Sequence, residues 1–303
     1  MLAIKLPRNK KAAREKYSWR RFCLRLVGTL VAIRVVSYVL LAPIVAEALY
    51  SHILFFPLKF PGGYYSDIKI NGLAPSDVFF KSESGNQIHG WLFQKPGAKR
   101  VVMLSHGNAF NLTMRNHIIE RFLNENNDVF IYDYSGFGRS EGEPSIAGFY
   151  KDARSAYNFL IEKQKYTPSQ VILFGESLGT LVSGKLASVV PCAGVILECP
   201  LHSLRRVACE HYGFLSEYPD WAWPESCKQL DNSVALHKPH PPLVMAVGTS
   251  DGVTSIGQSD ALNEAVIEPK NYVRINGALH GDDVMHTSPV YKRARLALFG
   301  ELP

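Results

Sequence analysis

Signatures of metal and redox chemistry are sparse in this 303-residue chain. Its five cysteines (Cys23, Cys192, Cys199, Cys209, Cys227) are an odd number with no C-x-x-C pair, so neither a zinc site nor a dense disulfide framework is written here. Cys209 and Cys227, flanking one irregular segment, are the two placed to pair outside the cytosol. The ten histidines show no H-E-x-x-H or related spacing, so no metal and no cofactor is expected. No repeat of 20–50 residues is present, which removes solenoids and propellers. With 23 glycines, 18 prolines, 47% apolar and 20% charged residues, collagen-like, low-complexity and disordered classes are excluded too. A dinucleotide-binding G-x-G-x-x-G is also missing: Gly136-Phe137-Gly138 continues to Glu141 where the third glycine would stand, so this segment reads as a turn between strand and helix.

Positive charge is confined to one end. Residues 1–25 hold nine Lys or Arg against Glu15, a net +8; as the whole chain is +6, the remaining 278 residues sum to −2. The basic character is a tail, not a surface, and no nucleic-acid partner is expected. Leu26 to Ala46 follow, 21 residues with Arg34 as their single charge. A helix of that length rises about 31 Å, enough to cross a hydrocarbon core of about 30 Å. A central Arg costs roughly 2.5–3.5 kcal/mol, while Leu, Ile and Val each return about 0.3–0.6 kcal/mol. There are twelve of these, so the sum favours a transmembrane anchor. The alternatives are an amphipathic helix lying on the bilayer and a signal peptide cleaved at Ala46-Glu47-Ala48; the apolar stretch exceeds the 7–15 residues of a signal h-region. A spanning helix with this charge bias keeps its N-terminus cytoplasmic and puts the rest beyond the membrane. An interfacial helix leaves the domain in the cytosol.

Residues 51–303 read as one α/β domain. Strand candidates are Val78–Lys81, Ile88–Gln94, Val101–Ser105, Val129–Tyr132, Val171–Phe174, Gly194–Glu198, Leu243–Val247 and Tyr272–Ile275. Helix candidates are Arg115–Asn124, Ile146–Gln164, Ser177–Val190, Ile256–Val266 and Pro289–Phe299. From Val101 on the two alternate, and runs such as VVML, VFIY and VILF are apolar throughout, as strands covered on both faces must be. The expectation is a three-layer sandwich around a mostly parallel sheet, with an antiparallel hairpin turning at Gly85-Asn86 on one edge. An insertion at about 201–240 breaks the rhythm and holds Tyr212, Phe214, Tyr218, Trp221 and Trp223. Loops beyond the carboxyl ends of parallel strands wall the ligand crevice, so it is a lid or pocket wall, its aromatics divided between packing and contact with an apolar chain.

Gly175-Glu176-Ser177-Leu178-Gly179 is the sharpest local motif. It follows VILF and opens a helical run, the strand–turn–helix that lifts a serine hydroxyl to the top of a sheet. Serine is a poor nucleophile without a base that is itself oriented by an acid, and in this arrangement the acid and then the histidine follow later in the chain. Asp251 ends the turn after LVMAVG; its competitor Asp260 falls within the next helix. His280 follows the last strand; its rival His286 lies nearer the final helix. The backbone N–H of Leu178 supplies one donor for an oxyanion, and that of Asn108, in the Ser105-His106-Gly107-Asn108 loop, the second. His106 precedes the serine, the wrong order for the base, and suits holding that loop in shape.

Five motifs in this order and spacing (SHGN at 105–108, DYSGFGRSEGEPS at 133–145, GESLG at 175–179, GTSD at 248–251 and GALHGD at 277–282) resemble the α/β-hydrolase superfamily. In particular they resemble its membrane-associated branch of ABHD-type, depalmitoylase-like proteins. The resemblance covers about residues 75–300 and implies Ser177 as nucleophile, Asp251 as acid, His280 as base, and hydrolysis of a carboxylic ester or thioester. The chain departs from those depalmitoylases in having one tail cysteine, Cys23, where they carry a lipidated cluster, in Gly252, and in the LHGDD around the histidine. The expected function is therefore a membrane-anchored serine hydrolase of an ester or thioester, with a lipid or acylated protein as the candidate fatty-acyl substrate. A peptidase of the same fold and a non-catalytic scaffold are the other readings.

Overall fold

Apolar runs and amphipathic runs alternate along the chain, and in the computed structural model, which describes residues 10–300, the eight longer strands form one sheet. The N-terminal part holds α1 (Lys10–Leu40), α2 (Glu47–Leu54) and the short β1 (Phe56–Pro57), then β2 (Ser76–Lys81) and β3 (Gln87–Phe93). Next come β4 (Val101–Ser105), β5 (Ala109–Phe110), α3 (Asn116–Asn124), β6 (Asp128–Tyr132), α4 (Ile146–Glu162), β7 (Val171–Glu176), α5 (Gly179–Ala187) and β8 (Gly194–Glu198). A cap carries α6 (Leu204–His211), α7 (Glu225–Lys228) and α8 (Asn232–Ala235). The chain then runs through β9 (Leu243–Gly248), α9 (Ile256–Ala265), β10 (Lys270–Ile275), α10 (Asp283–Thr287) and α11 (Pro289–Leu298).

The sheet order is β2-β3-β6-β4-β7-β8-β9-β10. Only the pairs made by β3 are antiparallel, so β2 and β3 form the expected edge hairpin. Successive side chains of a strand point to opposite faces, and the two cores divide accordingly. Met103, Phe130, Leu173 and Leu197 pack with α4 and α5 on one face. Leu104, Ile131, Phe174 and Ile196 pack with α3 and α11 on the other. These strands are apolar without alternation because both faces are covered.

Two boundaries differ from the sequence expectation. The helix predicted over Ser177–Val190 starts at Gly179, because Ser177 has φ +53° and cannot be helical. The apolar helix ends at Leu40 rather than Ala46. Pro43 cannot continue it, and Ala42 and Ala46 are buried against the domain instead of facing lipid. The helix also starts earlier, so residues 10–25 of the basic stretch are its first turns; residues 1–9 lie outside the described residues. The most apolar 18-residue window within Tyr17–Leu40 has a mean hydropathy of 1.8, and none of it is buried in the protein. It is long and apolar enough to cross a membrane.

The cap's elements are short because Pro219 and Pro224 interrupt it; its three helices span four to eight residues. Cys209 and Cys227 are both free thiols, so the proposed pairing is not made.

Candidate active site

The residues favoured from the sequence sit just beyond the carboxyl ends of parallel strands: Asn108 after β4, Ser177 and Leu178 after β7, Asp251 after β9 and His280 after β10. The serine turn explains its glycines. A Cβ on Gly179 would lie 2.0 Å from the Ser105 carbonyl oxygen, and one on Gly175 would lie 2.6 Å from the Gly179 oxygen. Neither position tolerates a side chain, so β7 and α5 approach closely enough to force Ser177 to φ +53°. The Ser177 N–H donates to the Glu198 carbonyl at the end of β8 (2.9 Å), which fixes the elbow to the sheet.

His280 Nδ1 lies 2.7 Å from Asp251 Oδ2. The aspartate side chain is fully buried and that of the histidine about one-fifth exposed. Burial pushes the Asp251 carboxyl up, but the His280 hydrogen bond and charge, with the N–H groups of Thr254 and Val253, hold it below its ordinary value. An ionised aspartate bonded to Nδ1 leaves Nε2 as the basic nitrogen. Ser177 is tied through its N–H to Glu198, and the Sγ of the next residue, Cys199, lies within 4.8 Å of both the His280 ring nitrogen and the Asp251 oxygen. Among the described residues no hydrogen bond joins the Ser177 hydroxyl to His280, a separation common before substrate binds. Asp260 pairs instead with Tyr272 and Arg274. His286 accepts from Arg121 (2.9 Å) beside Glu198, away from Asp251.

Cys199, Asp251 and His280 are also a cluster with metal-ligand atom types. Burial, with Glu198 and Asp251 nearby, pushes the Cys199 thiol well above its ordinary pKa, and Asp251 and His280 already satisfy each other. A protonated thiol is a poor ligand, so the cluster fits an ion poorly.

The loop carrying Asn108 is held from several sides. Asn108 Nδ2 donates to the Leu54 carbonyl (2.7 Å), and the Asn108 carbonyl accepts from Phe56 N–H (2.8 Å). Gly107 passes close to the serine, since a Cβ on it would touch Ser177 Cβ at 3.5 Å. Among the described residues, neither the Asn108 N–H nor the Leu178 N–H donates to another group. His106 is fully buried, its Nε2 3.4 Å from Asp133, whose carboxylate also accepts the Leu112 N–H.

Several further residues carry no spacing signal that a sequence reading could have caught. Arg115 Nε binds Glu176 at 2.5 Å while its Nη2 reaches the Ala109 carbonyl at 3.3 Å, joining the serine turn to the loop of Asn108. Beneath it, Arg121 pairs with the buried Glu198 at 2.8 Å. Ser177, Leu178 and Asn108 open on a cavity of about 310 Å³. Its walls come from the cap, through Leu204, Leu215 and Trp223, and from α2 and β1, through Tyr50, Leu54 and Phe56. Tyr218 packs against α1, and Trp223 is buried in the wall, whereas Phe214 and Trp221 are exposed.

The family model described as serine aminopeptidase, S33, matches residues 96–241. The α/β-hydrolase domain-containing protein 17C of Xenopus tropicalis is 32% identical over 231 residues, 75% of this chain and 71% of that protein. An uncharacterised Mycobacterium tuberculosis protein is 31% identical over 214 residues, 69% of this chain and 73% of its own length. Among solved structures, an esterase of Pyrococcus furiosus aligns with a TM-score of 0.61 at 17% identity, over 82% of this chain and 96% of that one. Acetyl xylan esterase 1 of Thermoanaerobacterium aligns with a TM-score of 0.58 at 17% identity, over 79% and 87%. These two likenesses concern the fold.

Proposed function

The chain belongs to the α/β-hydrolase domain-containing proteins, and from that membership we propose that it is a membrane-anchored serine hydrolase of esters or thioesters with an apolar acyl group. Ser177 Oγ attacks the acyl carbonyl as His280 Nε2 takes its proton, and Asp251 stabilises the imidazolium through Nδ1. The N–H groups of Leu178 and Asn108 hold the tetrahedral oxyanion. Collapse expels the alcohol or thiol, which leaves with the proton from His280. Water, deprotonated by the same histidine, then attacks the acyl-serine and releases the carboxylic acid and the free hydroxyl.

The observation that carries this reading is a serine at positive φ with two unengaged backbone donors at the cavity, together with a histidine paired to a buried carboxylate after later strands of the same sheet. An acyl substituent is favoured because the cavity wall is mainly aliphatic and aromatic, and such pockets bind by burying apolar surface. That wall also weighs against a peptidase, since a peptide backbone needs polar partners along its length. α1 serves as the anchor; if it spans, its basic start stays cytoplasmic and the hydrolase domain lies on the other face. A fluorophosphonate probe tests the chemistry. It labels the wild-type chain, and Ser177→Ala, still folded by circular dichroism, takes no label; equal labelling of the variant would refute the assignment.

A further inference from the structure

The end of α1 is clamped to the cap. Arg34 forms an ion pair with Glu217. Tyr38 stacks on Tyr218 with ring centroids 4.5 Å apart, and the Tyr218 hydroxyl donates to the Tyr38 carbonyl at 2.9 Å. Just beyond the helix, the Ile44 N–H donates to the Ala222 carbonyl at 2.9 Å. The clamp answers the cost of Arg34 in an apolar helix, because its counter-charge comes from the cap. It also fixes the cap against the side of α1, so that a bilayer receiving the helix lies beside Glu217 and Tyr218.

Beside α1 the cap shows exposed aromatic surface. Trp221, beside Ala222, is 72% exposed, and Phe214, in the turn that ends at Glu217, is 41% exposed. Ile44 and Val45 on the facing linker are more than half exposed as well. Two residues before Phe214, Tyr212 lines the cavity and faces solvent, as does Phe56. Trp and Phe next to an apolar helix with a basic start suit a lipid interface: amphipathic rings settle at the headgroup boundary, and Lys and Arg meet anionic lipid.

We infer that the cap docks onto the phospholipid interface through Trp221 and Phe214, so that the cavity mouth faces lipid and an acyl chain passes sideways from the bilayer into the cavity. This rests on the reading of the chain as an anchored acyl hydrolase, and it adds that the anchor orients the site rather than merely tethering it. Substrates dissolved in the bilayer gain access without crossing water, while soluble short-chain esters do not use the route.

The test uses the full chain with Trp19→Phe in vesicles of phosphatidylcholine and phosphatidylglycerol carrying brominated acyl chains. Trp91 and Trp223 are buried, so Trp221 is the exposed reporter. Its emission is expected to be quenched, and the quenching to vanish with Trp221→Phe. In unbrominated vesicles of the same composition, Trp221→Ser with Phe214→Ser is expected to lower hydrolysis of a bilayer-dissolved long-chain thioester about tenfold, while a soluble short-chain ester is turned over at the wild-type rate. Quenching without any esterase turnover supports docking and refutes the hydrolase reading. Absent quenching in a chain that hydrolyses the soluble ester overturns the docking alone, as does an equal fall in both rates.

Discussion

At Asn108 the backbone and the side chain have separable tasks. The side chain ties its loop to the Leu54 carbonyl, whereas the N–H is the proposed oxyanion donor. Asn108→Ala keeps the N–H and is predicted to reduce kcat about tenfold or less, through a looser loop. Asn108→Pro removes the donor and is predicted to cost about 10²–10³ in kcat with little change in KM, the usual loss for one oxyanion donor. Steady-state kinetics on a short-chain ester check both, and equal effects would move the donor elsewhere. Glu198, buried behind the serine, gives a pH prediction. Burial raises its carboxyl, but the Arg121 guanidinium, with His286 and Tyr291, outweighs burial and holds it at about 2, below its ordinary 4.5. A depressed carboxylate stabilises the fold fully above its ordinary value and ceases to do so as pH falls through the folded one. The Tm of the wild type is therefore expected to drop between pH 4.5 and 2. Glu198→Gln leaves Arg121 buried without a counter-charge and is expected to be less stable at pH 7 by about 3–5 kcal/mol, a deficit that shrinks toward pH 2. A constant deficit across that range would show that the pair does not titrate as described.

Between elements, the clamp of α1 on the cap is the junction that matters. Tyr38→Ala deletes the stack on Tyr218, worth about 0.5–1.5 kcal/mol beyond burial, and leaves the sheet untouched. Amide exchange over Gly213–Glu217 is predicted to speed up about three- to tenfold, with exchange in β7 and β8 unchanged; uniform acceleration would mean that the cap and sheet open as one unit. This junction was not legible in the sequence. Hydropathy records that Leu41, Ala42 and Ala46 are apolar, not whether lipid or protein covers them, so the predicted helix ran on to Ala46 while the chain turns at Pro43. The cavity wall from α2 and β1 was missed for the same reason: Tyr50, Leu54 and Phe56 meet the serine only through folding. By contrast, the elbow was legible because its glycines are required by contacts within a few residues and with the neighbouring strand. The strands were legible because two covered faces demand uninterrupted apolar runs.

Across the whole molecule, one sheet gathers groups that lie up to 172 positions apart, from Asn108 to His280, and the segment after α1, through Pro43, Tyr50 and Phe56, lines the cavity at Ser177. Long-range ion pairs such as Arg115–Glu176 hold the parts in register without leaving a pattern in the sequence. The central claim is that an acyl group passes through covalent attachment to one hydroxyl. Rapid acid quenching of the full chain with a long-chain acyl thioester, followed by peptide mass spectrometry, tests it most directly. The predicted result is an acyl adduct on the peptide containing Ser177 that forms and decays with turnover, and is lost in His280→Ala. Turnover with no adduct on that peptide, or undiminished turnover in Ser177→Ala, would contradict it.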